Sequence, residues 1–249
     1  MKWALVTGAG RRLGRATALD LAAAGWGVVI HHSTSAEAAQ STAAQIAAQG
    51  GRAVVVAADL NDKAARHALI AHATQEAGAP IVGLVNCAAM FEHDTIDTLS
   101  EEALQRHIAL NAYTPSLLAR EFAEALPEAM RGCVVNFLDF KLANPYPDHF
   151  SYTLSKYALA GATELLARAL APRVRVNAVA PGYVLPAPGQ ADADHRRLHG
   201  DTPLHSGPTP EHIANAVRFL LENDAVTGQT IYVDSGRRFR SYDRDMAFL

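Results

Sequence analysis

The chain has 249 residues, 49% hydrophobic and 19% charged, with a formal net charge of -3. With a mean hydropathy near zero, that length suffices for a sizeable core without disulfide or metal staples. The balance excludes a strongly basic footprint for nucleic acid or an anionic membrane, and no apolar stretch reaches the length of a membrane span.

Seven short β-rich runs alternate with longer Ala/Leu-rich segments. In chain order the runs are WALVT (3–7), GVVIHH (27–32), RAVVVAA (52–58), IVGLVN (81–86), CVVNFL (133–138), VRVNAV (174–179) and TIYVD (230–234). Helices are predicted between and after them, over 13–24, 36–49, 64–77, 101–126, 151–170 and 210–222. Several runs are continuously apolar, which fits strands covered on both faces. Strict alternation predicts an α/β fold, a doubly wound parallel sheet with helices on both faces, in one domain over 1–249. Residues 182–208, rich in Pro, Gly, Asp and His, are too long for a routine connection and are read as covering a site. His195, His199 and His205 there are read as solvated loop residues, since their spacing gives no metal site. Residues 235–249 form a C-terminal tail that mixes Arg with Phe and Tyr. The N-terminus, MKWALVTGAG, lacks the long apolar stretch of a signal peptide. Cys87 and Cys133 are expected to be buried, reduced thiols. Both features predict a cytoplasmic protein.

The first run ends in TGAGRRLG (7–14) and opens directly into a helix. Gly8 permits a tight turn, Gly14 lets the helix pack close to the strand, and the helix N-terminus then offers free N–H groups to a pyrophosphate. Tight strand–helix turns use glycine anyway, so the weight of the pattern comes from its place at the first strand of an alternating sheet. Gly8, Arg11, Arg12, Leu13 and Gly14 are the candidate residues of this turn. The second run ends HHSTS (31–35), without the acid that usually holds an NAD ribose. His32, Ser33, Thr34 and Ser35, together with Arg11, are candidates for a 2′-phosphate instead, so NADPH is expected over NADH. Ser35 also reads as an ordinary helix cap.

With these residues in view, the chain resembles the short-chain dehydrogenase/reductase family over nearly its whole length. The family's signals occur in order: TGAGRRLG, Asp59 after the third strand, NCAA (86–89), Asn111 in the long helix over 101–126, Tyr152-x-x-x-Lys156 and the pair Pro181–Gly182. The resemblance implies that Asp59 and Leu60 flank the adenine and that Asn86 and Ala88 line the ribose side. It also implies that Pro181, Gly182 and Val184 meet the cofactor and that Asn111 supports a water connected to the lysine. The bare chemistry agrees. Tyr152 and Lys156 are four apart, on one helical face. A nearby ammonium favours an ionised phenol, so Tyr152 is expected to be a usable acid nearer neutral pH. By the resemblance, Lys156 also hydrogen-bonds the nicotinamide ribose.

Asp139 stands where the family usually has a serine. An ionised aspartate only accepts hydrogen bonds, and its charge opposes a developing alkoxide. It therefore argues against generic ketone reduction and suits a substrate presenting N–H groups, or a proton relay with Tyr152. This substitution is similar to that in the pteridine reductases and dihydromonapterin reductases. Arg12, where the common pattern has glycine, and Phe91, where pteridine reductases stack a phenylalanine on the pterin, point the same way. Phe91 also reads as a loop aromatic capping the core. Arg11, Phe91, Asp139 and Tyr152 are the candidate substrate residues, and Asp139, Tyr152, Lys156 and Asn111 the candidate catalytic set. Ala89 in place of a serine, and PGYVLPAP without the usual hydroxyl after Pro-Gly, depart from that subset.

The implied reaction is hydride transfer from NADPH to a pterin-type C=N bond. The alternatives are a reductase of another small carbonyl or imine compound, and a non-catalytic NADP-binding regulator. The helix carrying Tyr152 continues YALAGATELLARALA, apolar over much of its circumference, which predicts a second buried face against another subunit. The resemblance implies a homotetramer, or a homodimer, through this helix. No metal is expected.

Overall fold

A computed structural model of the chain describes residues 1–186, 192–241 and 243–245. Seven strands, β1 Trp3–Val6, β2 Gly27–His32, β3 Arg52–Ala57, β4 Ile81–Asn86, β5 Gly132–Phe137, β6 Val174–Pro181 and β7 Thr230–Val233, form one sheet in the order β3-β2-β1-β4-β5-β6-β7. Every pairing is parallel. The expected doubly wound α/β fold is therefore present. Its strand order reverses between β1 and β4, the place where such sheets open a crevice at their carboxyl edge.

The alternation of side chains along each strand divides the apolar runs between two cores. Ala4, Val6, Val28, Ile30, Val85, Val135 and Val179 face α1 (Arg12–Ala23), α2 (Ala36–Ala48) and α8 (Pro210–Glu222). Trp3, Leu5, Val29, Leu84, Val134 and Val176 face α3 (Lys63–Ala77), α5 (Thr114–Ala125) and the end of α6 (Phe150–Leu170). Burial on both faces is why these strands carry few polar residues before their carboxyl ends. Each fully buried Val or Leu stabilises the sheet by about 1.5–3 kcal/mol before entropy is counted.

The structure differs from expectation in three elements. The helix expected over 101–126 is broken into α4 (Glu101–Ile108), a π-helical turn (Ala109–Tyr113) and α5. Pro115 has no N–H, so the Asn111 carbonyl loses its regular helical donor, and Thr114 bonds one residue further back, to the Ala109 carbonyl. Ser35 stands at the start of α2, where its carbonyl accepts from Ala39 N–H, but its side chain makes no capping hydrogen bond. The segment 182–208 contains a further helix, α7 (Asp192–Gly200). That segment lies partly outside the described residues, at 187–191, and the tail 235–249 does so at 242 and 246–249. Among the described residues no helix is long and apolar enough to cross a membrane.

Candidate active site

The crevice begins at the turn after β1. Gly8 is left-handed, with φ 66°, and a Cβ there would press on Ala88 Cα at 3.1 Å. A Cβ on Gly14 would sit 2.3 Å from the Gly8 carbonyl oxygen, so only glycine lets α1 start this close to the strand. Arg11 precedes α1 without a side-chain cap, which leaves the first-turn N–H groups unclaimed by that residue. Arg12 adopts φ 51°, a conformation that favours glycine, and its guanidinium donates to the Pro186 carbonyl at 3.0 Å. The position where the common family pattern has glycine thus keeps the glycine conformation, and the arginine ties the turn to the segment after β6. Leu13 packs at the edge of the first core.

Two residues outside the expected site build this turn. Thr7 Oγ1 accepts from the main chains of Cys87 and Ala88, both at 3.0 Å, joining the ends of β1 and β4. His31 Nδ1 accepts from Gly8 N–H at 3.2 Å while its Nε2 meets the Ala58 carbonyl at 3.1 Å. The carbonyl can only accept and the amide can only donate, so the ring is neutral with its proton on Nε2. Burial pushes its pKa down to about 4, in keeping with that tautomer. The signal was the His31–His32 pair: neighbours in a strand point to opposite faces, so only one can reach the glycine turn.

At the end of β2, His32 is buried with Nδ1 near the Ser33 carbonyl, whereas Ser33, Thr34 and Arg11 are exposed and Ser35 is half-buried. No carboxylate lies in this stretch. Asp59 accepts from the main-chain and side-chain N–H groups of Asn61, and Leu60 is buried with its carbonyl 3.4 Å from Thr114 Oγ1. Asn86 donates to Asn136 Oδ1 at 2.9 Å across β4 and β5, and Asn136 to Thr163 at 2.9 Å. Gly182 N–H donates to the Val233 carbonyl at 2.9 Å. Val184 is buried in the first core, so any contact with a nucleotide falls to its main chain. The uncapped helix start, the left-handed glycine and the absence of an acid beside exposed hydroxyls fit a dinucleotide bearing a 2′-phosphate.

Across the crevice, Tyr152 donates its hydroxyl to Asp139 Oδ2 at 2.8 Å, and the Lys141 main chain donates to Asp139 Oδ1 at 2.9 Å. Lys156 Nζ lies 5.6 Å from the Tyr152 ring centroid and donates to the Phe137 carbonyl at 2.6 Å. Tyr152 and Lys156 are both buried. The expectation that the ammonium would lower the phenol's pKa is corrected here. Burial first, then the charge and hydrogen bond of Asp139, hold Tyr152 well above its ordinary range. Burial also lowers Lys156, to about 8, against the opposing pull of Asp139. Cys87, beside Lys156, and Cys133 are pushed up by burial to about 12 and about 11, so both are inert thiols.

Asn111 sits in the π-helical turn, fully buried. Its side chain is committed elsewhere than to Lys156: Oδ1 accepts from Met90 N–H at 2.8 Å, and Nδ2 donates to the Met90 carbonyl and to Ser155 Oγ, both at 2.9 Å. Phe91 is half exposed, stands edge-on to Tyr152 with centroids 4.7 Å apart, and stacks on His149 at 4.1 Å. His149 Nδ1 meets the Glu92 carbonyl at 3.0 Å. Asp94 caps α6 from outside the helix, its carboxylate accepting from Ser151 N–H at 3.1 and 3.2 Å. The loop after β4 is thereby fastened to the start of the Tyr152 helix. Neither Asp94 nor His149 was legible as a site residue, because each gains its role from a partner 57 residues away. Arg11 is exposed, and among the described residues no hydrogen bond or ring contact joins it to Phe91, Asp139 or Tyr152. No cluster of metal-ligating side chains is assembled among the described residues.

A family described as enoyl-(acyl carrier protein) reductase matches residues 8–238. A solved structure titled FolM alternative dihydrofolate reductase 1 from Brucella suis, in complex with NADP, is 40% identical, with TM-score 0.92 and coverage of 97% of this chain and 96% of that one. The angucycline C-6 ketoreductase LanV with bound NADP is 31% identical, with TM-score 0.87 and 96% of each chain covered. A 3-oxoacyl-[acyl-carrier-protein] reductase of Synechocystis is 33% identical over 237 residues, 94% of this chain and 95% of that protein.

Proposed function

We propose that this chain, which belongs to the short-chain dehydrogenase/reductase family, is an NADPH-dependent reductase of pterin-type C=N bonds. The observation that carries the reading is the Asp139 carboxylate 2.8 Å from the Tyr152 hydroxyl. A carboxylate beside the proton donor repels the alkoxide of a ketone reduction but accepts hydrogen bonds from the N–H groups of a pterin. Phe91, half exposed and edge-on to Tyr152, supplies a flat wall against which such a ring can lie. The 40% identical relative titled an alternative dihydrofolate reductase supports the same substrate class.

The turn from Gly8 to Gly14, with Arg11, Arg12 and Leu13, would hold the pyrophosphate, and His32, Ser33, Thr34 and Ser35 the 2′-phosphate. Asp59 and Leu60 would flank the adenine. Asn86, Ala88, Pro181, Gly182, Val184 and Lys156 would hold the nicotinamide half. When bound, NADPH supplies the hydride. Tyr152 delivers its hydroxyl proton to the ring nitrogen next to the carbon being reduced, so that one C–H and one N–H bond replace the C=N π bond. The nitrogen that accepts hydride density is strongly basic, which lets even a phenol of raised pKa give up its proton. The phenolate left beside Asp139 is itself a strong base and recovers a proton from solvent. Lys156 compensates that charge, and Asn111, through the carbonyl that Pro115 cannot serve, is read as holding the water that links it to solvent. Residues 182–208 are read as the substrate cover.

Exposed Leu154, Tyr157 and Leu165 on α6, with Tyr113 before α5, support assembly as a homotetramer or homodimer through these helices, and the assembly is read as cytoplasmic. Phe91→Ala tests the stacking wall. Loss of a stacked aromatic is expected to raise the dihydropterin KM about tenfold, with NADPH affinity unchanged. An unchanged pterin KM would remove the ring from this position.

A further inference from the structure

The described end of the chain returns to the substrate side of the crevice. Asp245 is buried, and its carboxylate accepts from Lys141 Nζ at 2.5 Å. Its main-chain N–H donates to Asp148 Oδ2 at 2.6 Å, and Arg244 reaches Asp148 Oδ1 at 3.4 Å. His149 Nε2 lies 3.8 Å from the same Asp245 oxygen that Lys141 engages. Lys141 is itself buried, and its ammonium stands 4.4 Å from the Tyr146 ring centroid and 5.6 Å from that of Phe91. One carboxylate therefore meets two side chains that lie against the Phe91 ring, the stacked His149 and the cationic Lys141. Lys141 also donates its main-chain N–H to Asp139, so the same residue touches the proton-transfer pair.

A buried ammonium without a counter-charge is strongly unfavourable, so the position of Lys141 depends on Asp245. Resting on the reading of this crevice as the substrate site, we propose that the C-terminal segment is a structural part of the substrate wall. Asp245 is its positioning residue: it holds Lys141 and His149 against Phe91 and so fixes the angle of that ring to Tyr152. The glycine turn and the end of β2, which would hold the phosphates, make no contact with this cluster among the described residues. The effect falls on substrate and spares nucleotide.

The test uses the full chain with NADPH and a dihydropterin, comparing Asp245→Asn, Asp245→Glu and the double variant Lys141→Met/Asp245→Leu. Asp245→Asn is expected to raise the pterin KM about tenfold, with kcat within about threefold and NADPH affinity unchanged. Asp245→Glu restores the charge and most of the affinity, and the double variant, which strands no charge, is less impaired than Asp245→Asn. A wild-type pterin KM in Asp245→Asn, or a loss shared equally by NADPH binding, overturns the proposal. Amide hydrogen exchange in the NADPH complex decides it without any substrate. Residues 90–94 and 149–151 should exchange about tenfold faster in Asp245→Asn while β4 stays protected; unchanged exchange there overturns the role of the tail. Failure of the wild-type chain to reduce any pterin would refute the functional reading and leave the exchange result to decide this one.

Discussion

Tyr152→Phe will bind NADPH with unchanged affinity and lose turnover by about 10²–10⁴-fold, the range for removing a positioned general acid. The substitution deletes one oxygen and leaves the ring to pack against Phe91 at the same edge-on contact. It also strands Asp139 Oδ2, which accepts the phenolic proton, but Asp139 is half-buried and can be solvated there. The effect should therefore appear in kcat and not in protein yield or nucleotide binding, as measured by nucleotide fluorescence and steady-state kinetics. Near-normal turnover in this variant would show that the proton comes from elsewhere.

Asp139→Asn will lower dihydropterin turnover by about 10²-fold, as expected for loss of one preorganised electrostatic contact in a partly buried site. It also moves the pH profile, and the direction follows from the charges. In the proposed reaction Tyr152 gives up a proton, so the rate is expected to fall as pH rises through its pKa. Asp139 contributes two of the causes that raise that pKa, its charge and its hydrogen bond. The proposed reaction also needs Lys156 as the ammonium, which is lost as pH rises through about 8, and Asp139 favours the charged form. Removing the carboxylate lowers both pKa values, so the alkaline limb of kcat/KM moves to lower pH. Asp139→Ser should do the same and, by offering a donor in place of an acceptor, raise the rate with ketones. A limb that stays put in Asp139→Asn would mean that the carboxylate does not govern the pair.

The sequence made the fold legible because its inner strands are buried on both faces. Short apolar runs such as WALVT and IVGLVN, set between longer Ala/Leu-rich segments, read as strands covered on both faces, and all seven lie in the sheet within a few residues of their expected bounds. The glycine turn and the four-residue spacing of Tyr152 and Lys156 are local patterns, so they too could be read directly. Their energetics could not. The spacing puts the lysine one helical turn from the phenol, but the burial and the Asp139 contact that raise the phenol's pKa arise only where the turn after β5 meets α6. The break at Ala109–Tyr113 was signalled by Pro115, which lies inside the helix expected over 101–126, but a proline there can kink, end or bulge a helix, and only the structure, with α4 running on into α5, makes it a π-helical turn. His31, Asp94, His149 and Asp245 escaped notice for a common reason. Each is a polar residue in a loop or at a strand end, and its partner is brought near by the fold.

The central claim is that the Tyr152–Asp139 pair protonates a ring nitrogen and not a ketone oxygen. NADPH consumption by the wild-type chain, measured side by side with dihydrobiopterin, dihydromonapterin, dihydrofolate and a panel of ketones, tests it most directly. The predicted result is a kcat/KM for at least one dihydropterin that exceeds the best ketone by about 10²-fold or more, the discrimination available to a site whose polar groups are built to pair with N–H. Ketone turnover equal to or faster than pterin turnover would contradict it.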